Sequence, residues 1–112
     1  KDESEGWKNA KKSLEELKKI CKNKQIPLIA LLIPDFHYLS IDNPLIPIYA
    51  KIHRTFDQIQ IPMLNTFPAI HAEFGDEPKK AWVARDDPHP NKKAHQIISD
   101  LLYNFIDKQR LY

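Results

Sequence analysis

The feature that most constrains the fold is an unbroken apolar run between two prolines. Leu28 to Ile33 are all apolar, with Pro27 before them and Pro34 after them. Because the run has no polar alternation and is too short to span a bilayer, it predicts a strand buried on both faces of a parallel sheet. Such a strand needs a neighbour on each side, and the chain offers one clear partner, residues 60–65. The sequence therefore predicts a sheet from which a strand is missing.

Helical patterns surround this strand. Apolar residues from Trp7 to Cys21 recur at helical spacing and predict a helix that ends near Lys22. A helix followed by a buried strand is the order of elements that is typical of α/β proteins. Further patterns predict a helix capped by Asn43, a strand over 60–65, a short helix over 66–74 that stops at Gly75, and a last helix capped by Asn91.

Bulk composition narrows the class of protein. At 112 residues, with 42% hydrophobic and 29% charged residues, the chain is one globular domain at most. A net charge of +2, with lysines dispersed among acidic residues, gives no argument for a nucleic-acid partner. The single cysteine, Cys21, excludes an internal disulfide and fits no cysteine-based metal motif. We expect no transmembrane segment.

The segment from Arg85 to His95 holds the densest functional signal. Asp86 precedes His89 by three residues, and in a turn its carboxylate reaches one ring nitrogen of the histidine. The other nitrogen is then free to act as a base. Pro88 and Pro90 restrict the backbone on both sides of His89. The alternative is a polar loop whose aspartate caps the following helix.

This segment also carries a resemblance to a known family. The residues Asp86-Asp87-Pro88-His89-Pro90-Asn91, followed by Ala94-His95 and an amphipathic helix, resemble the last block of the SGNH (GDSL-type) hydrolases. In that block a Gly usually stands where this chain has Ala94. The resemblance implies a three-layer α/β/α flavodoxin-like parallel sheet and an esterase or acylhydrolase activity. It implies His89 as general base and Asp86 as its orienting carboxylate, because Asp87 has the wrong spacing for the family pattern.

The resemblance covers only the C-terminal portion of the family domain, with residues 1–112 forming one part of it. It implies that the nucleophilic serine and the oxyanion hole lie upstream, in the N-terminal half of the same domain, which is the expected partner. The four serines present lie in no nucleophile motif; they are Ser4, Ser13, Ser40 and Ser99. The expected substrate is an ester, a carbohydrate O-acyl group or a lipid ester. No cofactor and no metal are expected, and an extracytoplasmic or secreted location is slightly favoured.

Three further residues are candidates for substrate binding. Asp35 and His37 follow the buried strand, at the strand end where open α/β sheets bind ligands. Trp82 precedes the Arg85–His95 segment and is placed to pack over a pocket. The alternatives are turn residues for the first two and a core residue for Trp82.

Two other functions stay open. One is a non-catalytic SGNH-like module that binds carbohydrate or lipid, or docks to a larger enzyme. The other is a zinc site built from Asp86, His89 and His95. The spacing of that trio matches no helical ligand pattern such as His-Glu-x-x-His.

Overall fold

The structure, a computed structural model, describes residues 4–110. Its elements in chain order are α1 (Glu5–Asn23), β1 (Ala30–Leu32), α2 (Ile46–Gln58), β2 (Met63–Asn65), α3 (Phe67–Phe74), a 3₁₀ turn (Pro78–Ala81), β3 (Trp82–Ala84), β4 (Asp87–Pro90) and α4 (Lys92–Gln109). The chain is therefore a mixed α/β protein with two small sheets. No helix within residues 4–110 is both long and apolar enough to cross a bilayer.

The apolar run forms the strand of the parallel sheet. β1 pairs in parallel with β2, and Leu31 lies opposite Leu64. Helix α2 connects the two strands, as a parallel pair requires. β1 extends over three residues and none of its residues is buried. The predicted strand was longer and buried on both faces, but only β2 hydrogen-bonds to it within the described part of the chain.

Helix α1 matches its predicted position but buries less than its pattern suggests. The Ser4 hydroxyl accepts the Trp7 N–H and begins the helix. One face, which includes Trp7, Leu14 and Cys21, is half-buried, yet no residue of α1 is fully buried. Leu17 and Ile20 lie beside that face and are 44% and 53% exposed. The apolar stripe of α1 is therefore only partly covered.

The densest core lies where the chain leaves the carboxyl end of β1. It joins the loop after β1, helix α3, the residue before β3 and the first turns of α4. Its buried members are Phe36, Leu39, Ile70, Phe74, Ala81, Ala94 and Ile98. Leu31 and Trp82 pack against this cluster, so the core connects the parallel sheet to β3.

One predicted helix cap is wrong. Asn43 does not cap α2, whose first residue is Ile46. Instead Asn43 is buried in the preceding loop, where its amide donates to the Ser40 carbonyl at 2.6 Å. Its side-chain oxygen accepts the Leu45 N–H at 2.8 Å, so the asparagine stabilises a local turn.

The two other predicted helix boundaries are confirmed. Gly75 ends α3 with φ of 58°, a backbone conformation that favours glycine. Asn91 caps α4, where its side-chain oxygen accepts the Ala94 N–H at 3.0 Å. These boundaries are set by local chemistry, which is why the sequence shows them.

The segment before α4 differs from the loop that the sequence suggested. β3 and β4 form an antiparallel hairpin in which Trp82 pairs with Pro90 and Ala84 with Asp87. Arg85 and Asp86 form the two-residue turn between the strands. His89 therefore lies on a strand, and the pairing is irregular between its two ends.

Candidate active site

The hairpin brings a carboxylate and an imidazole into direct contact. Asp87 Oδ1 lies 2.5 Å from Nδ1 of His89 and also accepts the His89 backbone N–H at 3.1 Å. A carboxylate oxygen that accepts the N–H two residues further along forms an Asx turn, and this turn places the His89 ring beside the same oxygen. One carboxylate oxygen thus fixes both the ring and the backbone of the histidine.

The structure corrects the predicted partner of His89. Asp86 was expected to hold the ring, but it is an exposed residue at the tip of the β3–β4 turn. The expectation assumed a turn around residues 86–89. An Asx turn joins residues that are two apart, so Asp87 makes the contact with His89.

The contact sets the protonation pattern of the pair. The hydrogen bond from the His89 side chain, followed by that from its backbone N–H, lowers the pKa of Asp87. An ionised carboxylate only accepts hydrogen bonds, so Nδ1 carries a proton, and in the neutral ring the lone pair is on Nε2. The His89 side chain is 83% exposed, so Nε2 is open to a reacting group.

A second unit of the same form follows β1. Asp35 Oδ1 lies 2.8 Å from Nδ1 of His37 and accepts the His37 backbone N–H at 2.9 Å. The backbone hydrogen bond is the largest cause of the lowered pKa of Asp35. The Asp35 N–H donates to the hydroxyl of Tyr49 at 2.9 Å, which attaches this loop to α2.

Trp82 connects the β3–β4 hairpin to the loop after β1. Its indole N–H donates to the Phe36 carbonyl at 2.7 Å, and the His37 ring meets its ring edge-on with centroids 5.8 Å apart. Trp82 also pairs with Pro90, the residue after His89. The structure therefore brings the three predicted binding residues, Asp35, His37 and Trp82, together beside the strand that carries His89.

A depression of about 300 Å³ lies at the carboxyl end of β2. Its walls include Asn65 and the ring of Tyr49, the same residue that holds Asp35. His53 also lines it and pairs with Asp57 at 3.2 Å on the surface of α2. The depression lies where ligands bind in open α/β sheets.

The residues of the suggested zinc site do not converge. Residues 4–110 contain no group of three His, Cys, Asp or Glu side chains that could hold a metal ion. Asp86 lies at the hairpin tip, and His95 is exposed on α4. Neither is a hydrogen-bond partner of His89, whose Nδ1 contacts Asp87.

Two residues of this region were missed by sequence reasoning. Asp87 was set aside because its spacing to His89 does not match the Asp-x-x-His pattern of the SGNH hydrolases. Tyr49 was assigned only to the apolar face of its helix, and nothing in the sequence shows its bond to Asp35, 14 residues away. The signal that was available is the repeated Asp-x-His pattern at 35–37 and 87–89.

Comparisons with known proteins identify no relative. No family model, no curated protein and no solved structure matches this chain. The likeness to the SGNH hydrolases therefore rests on the residues of the segment before and at the start of α4.

Proposed function

We propose that this chain is the acid–base part of a serine esterase or acylhydrolase of the SGNH type, acting on acyl or acetyl esters. One observation carries the proposal: His89 has its Nδ1 fixed by a carboxylate while its side chain is open to solvent. In this arrangement Nε2 of His89 can act as a general base when a nucleophile is brought beside it. The nucleophilic serine and the oxyanion hole belong to polypeptide upstream of Lys1.

In the proposed reaction, Nε2 of His89 takes the proton of the serine hydroxyl as its oxygen attacks the ester carbonyl. The same proton then goes to the leaving alcohol, and water repeats the sequence to release the acid. Asp87 stabilises the imidazolium that forms in each half-reaction. We propose Asp87 for this role, where the family resemblance implied Asp86, because Asp87 makes the contact.

The proposal includes a finer fold assignment. In this assignment the parallel pair β1–β2 belongs to a flavodoxin-like α/β/α sandwich, in which α1 and α2 would cover one face of the sheet and α4 the other. In such a fold His89 and the loop after β1 lie toward the carboxyl ends of the strands. The depression beside Asn65 is a candidate site for part of the ester.

The first experiment is labelling with a fluorophosphonate, which reacts with activated serines. We would compare this chain with the polypeptide extended upstream along its reading frame. We expect labelling of the extended polypeptide only, and loss of labelling in His89→Ala. His95→Ala is the matched control, because His95 is an exposed histidine of α4 that lies outside this depression. Full labelling of His89→Ala would refute the proposed base.

The orienting carboxylate is tested by two isosteric changes. Asp87→Asn should lower ester turnover by roughly 10²–10⁴, because the amide no longer favours the reactive tautomer of His89. Asp86→Asn should change turnover by less than about threefold, since a residue at the hairpin tip contributes no contact to the ring. The reverse result would restore Asp86 as the partner and place the hairpin in a different register.

A non-catalytic binding module is the second candidate function. The observation that favours it is the aromatic group after β1, in which the rings of Tyr38 and Trp82 lie 6.1 and 5.8 Å from His37. Aromatic rings beside polar groups suit ligands that have both apolar and polar faces. Absence of labelling in both polypeptides, together with binding of an acylated oligosaccharide that Trp82→Ala abolishes, would favour this function.

A further inference from the structure

Within residues 4–110, the outer edge of β1 has backbone groups without a hydrogen-bond partner. The Ala30 N–H donates to the Pro62 carbonyl, and the Leu32 carbonyl accepts the Thr66 N–H. Successive residues of a strand direct these groups to opposite edges, so those of Leu31 point away from β2. β2 is the single strand paired with β1 within residues 4–110. An apolar strand with one open edge is a site for another strand.

The positions of the helices define which strand is missing. Leu28, two residues before β1, lines a cavity with Cys21 of α1. Because side chains alternate along an extended chain, this places the end of α1 on the side of the sheet to which Ala30 and Leu32 point. A second groove lies between α1 and α2, and its walls include Trp7 of α1 and Phe56 of α2. Both helices therefore lie on the same face of the sheet. Leu31 points to the other face, where it packs against the core that includes Ile98 of α4.

The handedness of crossovers then gives the direction. A strand–helix–parallel strand connection is right-handed in about 98% of cases. In the unit β1–α2–β2, helix α2 covers one face of the sheet and the chain moves sideways from β1 to β2. If α1 covers the same face and also links two parallel strands, the same handedness moves the chain in the same sideways direction. The strand before α1 then lies on the side of β1 away from β2, at its open edge.

The exposed surface is large enough for such a partner. The radius of gyration is 15.7 Å, whereas a compact domain of this length has about 13 Å. The accessible surface is 8090 Å², whereas a monomer of this mass exposes about 6,400 Å². The surplus exceeds the roughly 800 Å² per partner of a standard interface. Part of it is apolar, at Leu17 and Ile20.

Charge argues against a second copy as the occupant. The segment from Glu5 to Lys24 has seven lysines and three glutamates. Two copies joined through their β1 edges about a two-fold axis would place both α1 helices on the same face, where their charges repel. The basic helix is better matched by a partner whose facing surface is acidic.

We propose that the open edge of β1 binds a β-strand, parallel to β1, from polypeptide that precedes Lys1 in the same reading frame, and that an acidic surface of that polypeptide covers Leu17 and Ile20. The inference concerns the polypeptide invoked for the hydrolase, but it rests on the sheet and α1 and not on His89. β1 is then an interior strand of a larger sheet, with hydrogen bonds on both edges.

Residue-resolved amide hydrogen exchange tests the strand directly. In the extended polypeptide we expect the Leu31 amide to exchange as slowly as the Ala30 amide, which donates to the Pro62 carbonyl just before β2 and serves as the internal control. In the present chain Leu31 should exchange at least about 100-fold faster than it does in the extended form. A Leu31 amide that stays fast in the extended polypeptide while Ala30 is slow overturns the proposal. So does a reading frame without coding sequence before Lys1.

The dependence of Leu31 amide exchange on protein concentration distinguishes a second copy of the chain from an upstream strand. If Leu31 is protected in the present chain and the protection rises with protein concentration, the occupant is another copy and the proposal is overturned. For the surface of α1, Leu17→Gln should destabilise the extended polypeptide and leave the present chain nearly unchanged. Lys12→Gln, on the polar face of α1, is the matched control. Equal effects of Leu17→Gln in both forms would refute burial of this residue by the partner.

The inference and the hydrolase proposal fail separately. Slow exchange at Leu31 without fluorophosphonate labelling supports the strand and removes the hydrolase. Labelling that depends on His89, with a fast Leu31 amide, supports the hydrolase and removes the strand.

Discussion

The units at 35–37 and 87–89 share a pattern and a set of hydrogen bonds but differ in their surroundings. In both, an aspartate oxygen accepts from the backbone N–H and contacts Nδ1 of the histidine two residues later. The unit after β1 is attached to the core through Tyr49 and has Trp82 against its ring. His89 lies on the hairpin with its ring almost fully exposed.

The comparison separates local chemistry from tertiary context. Two residues of spacing are enough to form a carboxylate–imidazole pair, so the pattern alone does not identify a catalytic base. Surroundings decide what the free Nε2 can reach. The ring of His37 has an aromatic neighbour, whereas the ring of His89 is open to solvent. We propose ligand binding for the first ring and proton transfer for the second. The following predictions test this division.

The largest difference should appear in ester turnover by the extended polypeptide. We expect His89→Ala to lower kcat by roughly 10²–10⁴, because the proposed general base is lost. His37→Ala should mainly raise KM, since the ring would contribute to binding. Steady-state kinetics on a soluble acyl ester measure both. Equal losses of kcat would show that the two units act in one reaction step.

Trp82 should contribute more to stability than a tryptophan without a hydrogen bond. Trp82→Phe removes the donor to the Phe36 carbonyl, and we expect a loss of about 1–3 kcal/mol in the free energy of unfolding. Trp7→Phe is the control, because the buried Trp7 Nε1 has no partner within residues 4–110 and its removal breaks no hydrogen bond. Urea unfolding followed by circular dichroism compares them. A larger loss for Trp7→Phe would contradict the proposed anchor.

The bond between Tyr49 and the Asp35 backbone should have a smaller effect. Tyr49→Phe leaves the ring in place and removes the hydroxyl, so we expect a loss of about 0.5–1.5 kcal/mol. Tyr103→Phe, on the exposed side of α4, should change stability by less than about 0.5 kcal/mol. The same unfolding measurement applies, and indistinguishable values would show that the loop after β1 is held by other contacts.

The smallest effect distinguishes the two carboxylates by titration. Removing the imidazole should raise the pKa of Asp87 more than that of Asp35, because a side-chain bond dominates at Asp87 and a backbone bond at Asp35. Carboxyl NMR titrations of His89→Ala and His37→Ala test this. Since both pKa values are lowered on folding, their stabilising contribution is present above the ordinary aspartate pKa. It is lost as the pH falls through the folded values. A larger rise at Asp35 would reverse the assignment.

Much of the helical structure was readable from the chain. The 3.6-residue period located α1 and α4, and single residues such as Gly75 and Asn91 marked boundaries because they act within a few residues. The strands were placed correctly but were too long in the prediction, since strand length depends on a neighbour. The hairpin was not predicted because its pairing depends on Trp82 meeting Pro90 across a turn.

By itself the sequence determined the mixed α/β class, the parallel pairing partner of β1 and the segment that contains His89. These follow from hydrophobic period and from chemistry within a few residues, which the order of amino acids contains directly. Only the tertiary structure decided that Asp87 rather than Asp86 contacts His89, that Tyr49 and Trp82 support the loop after β1, and that one edge of β1 has no strand partner within residues 4–110. Each depends on strand register or on contacts between residues distant in the chain, and a change of one residue in register moves a side chain to the other face.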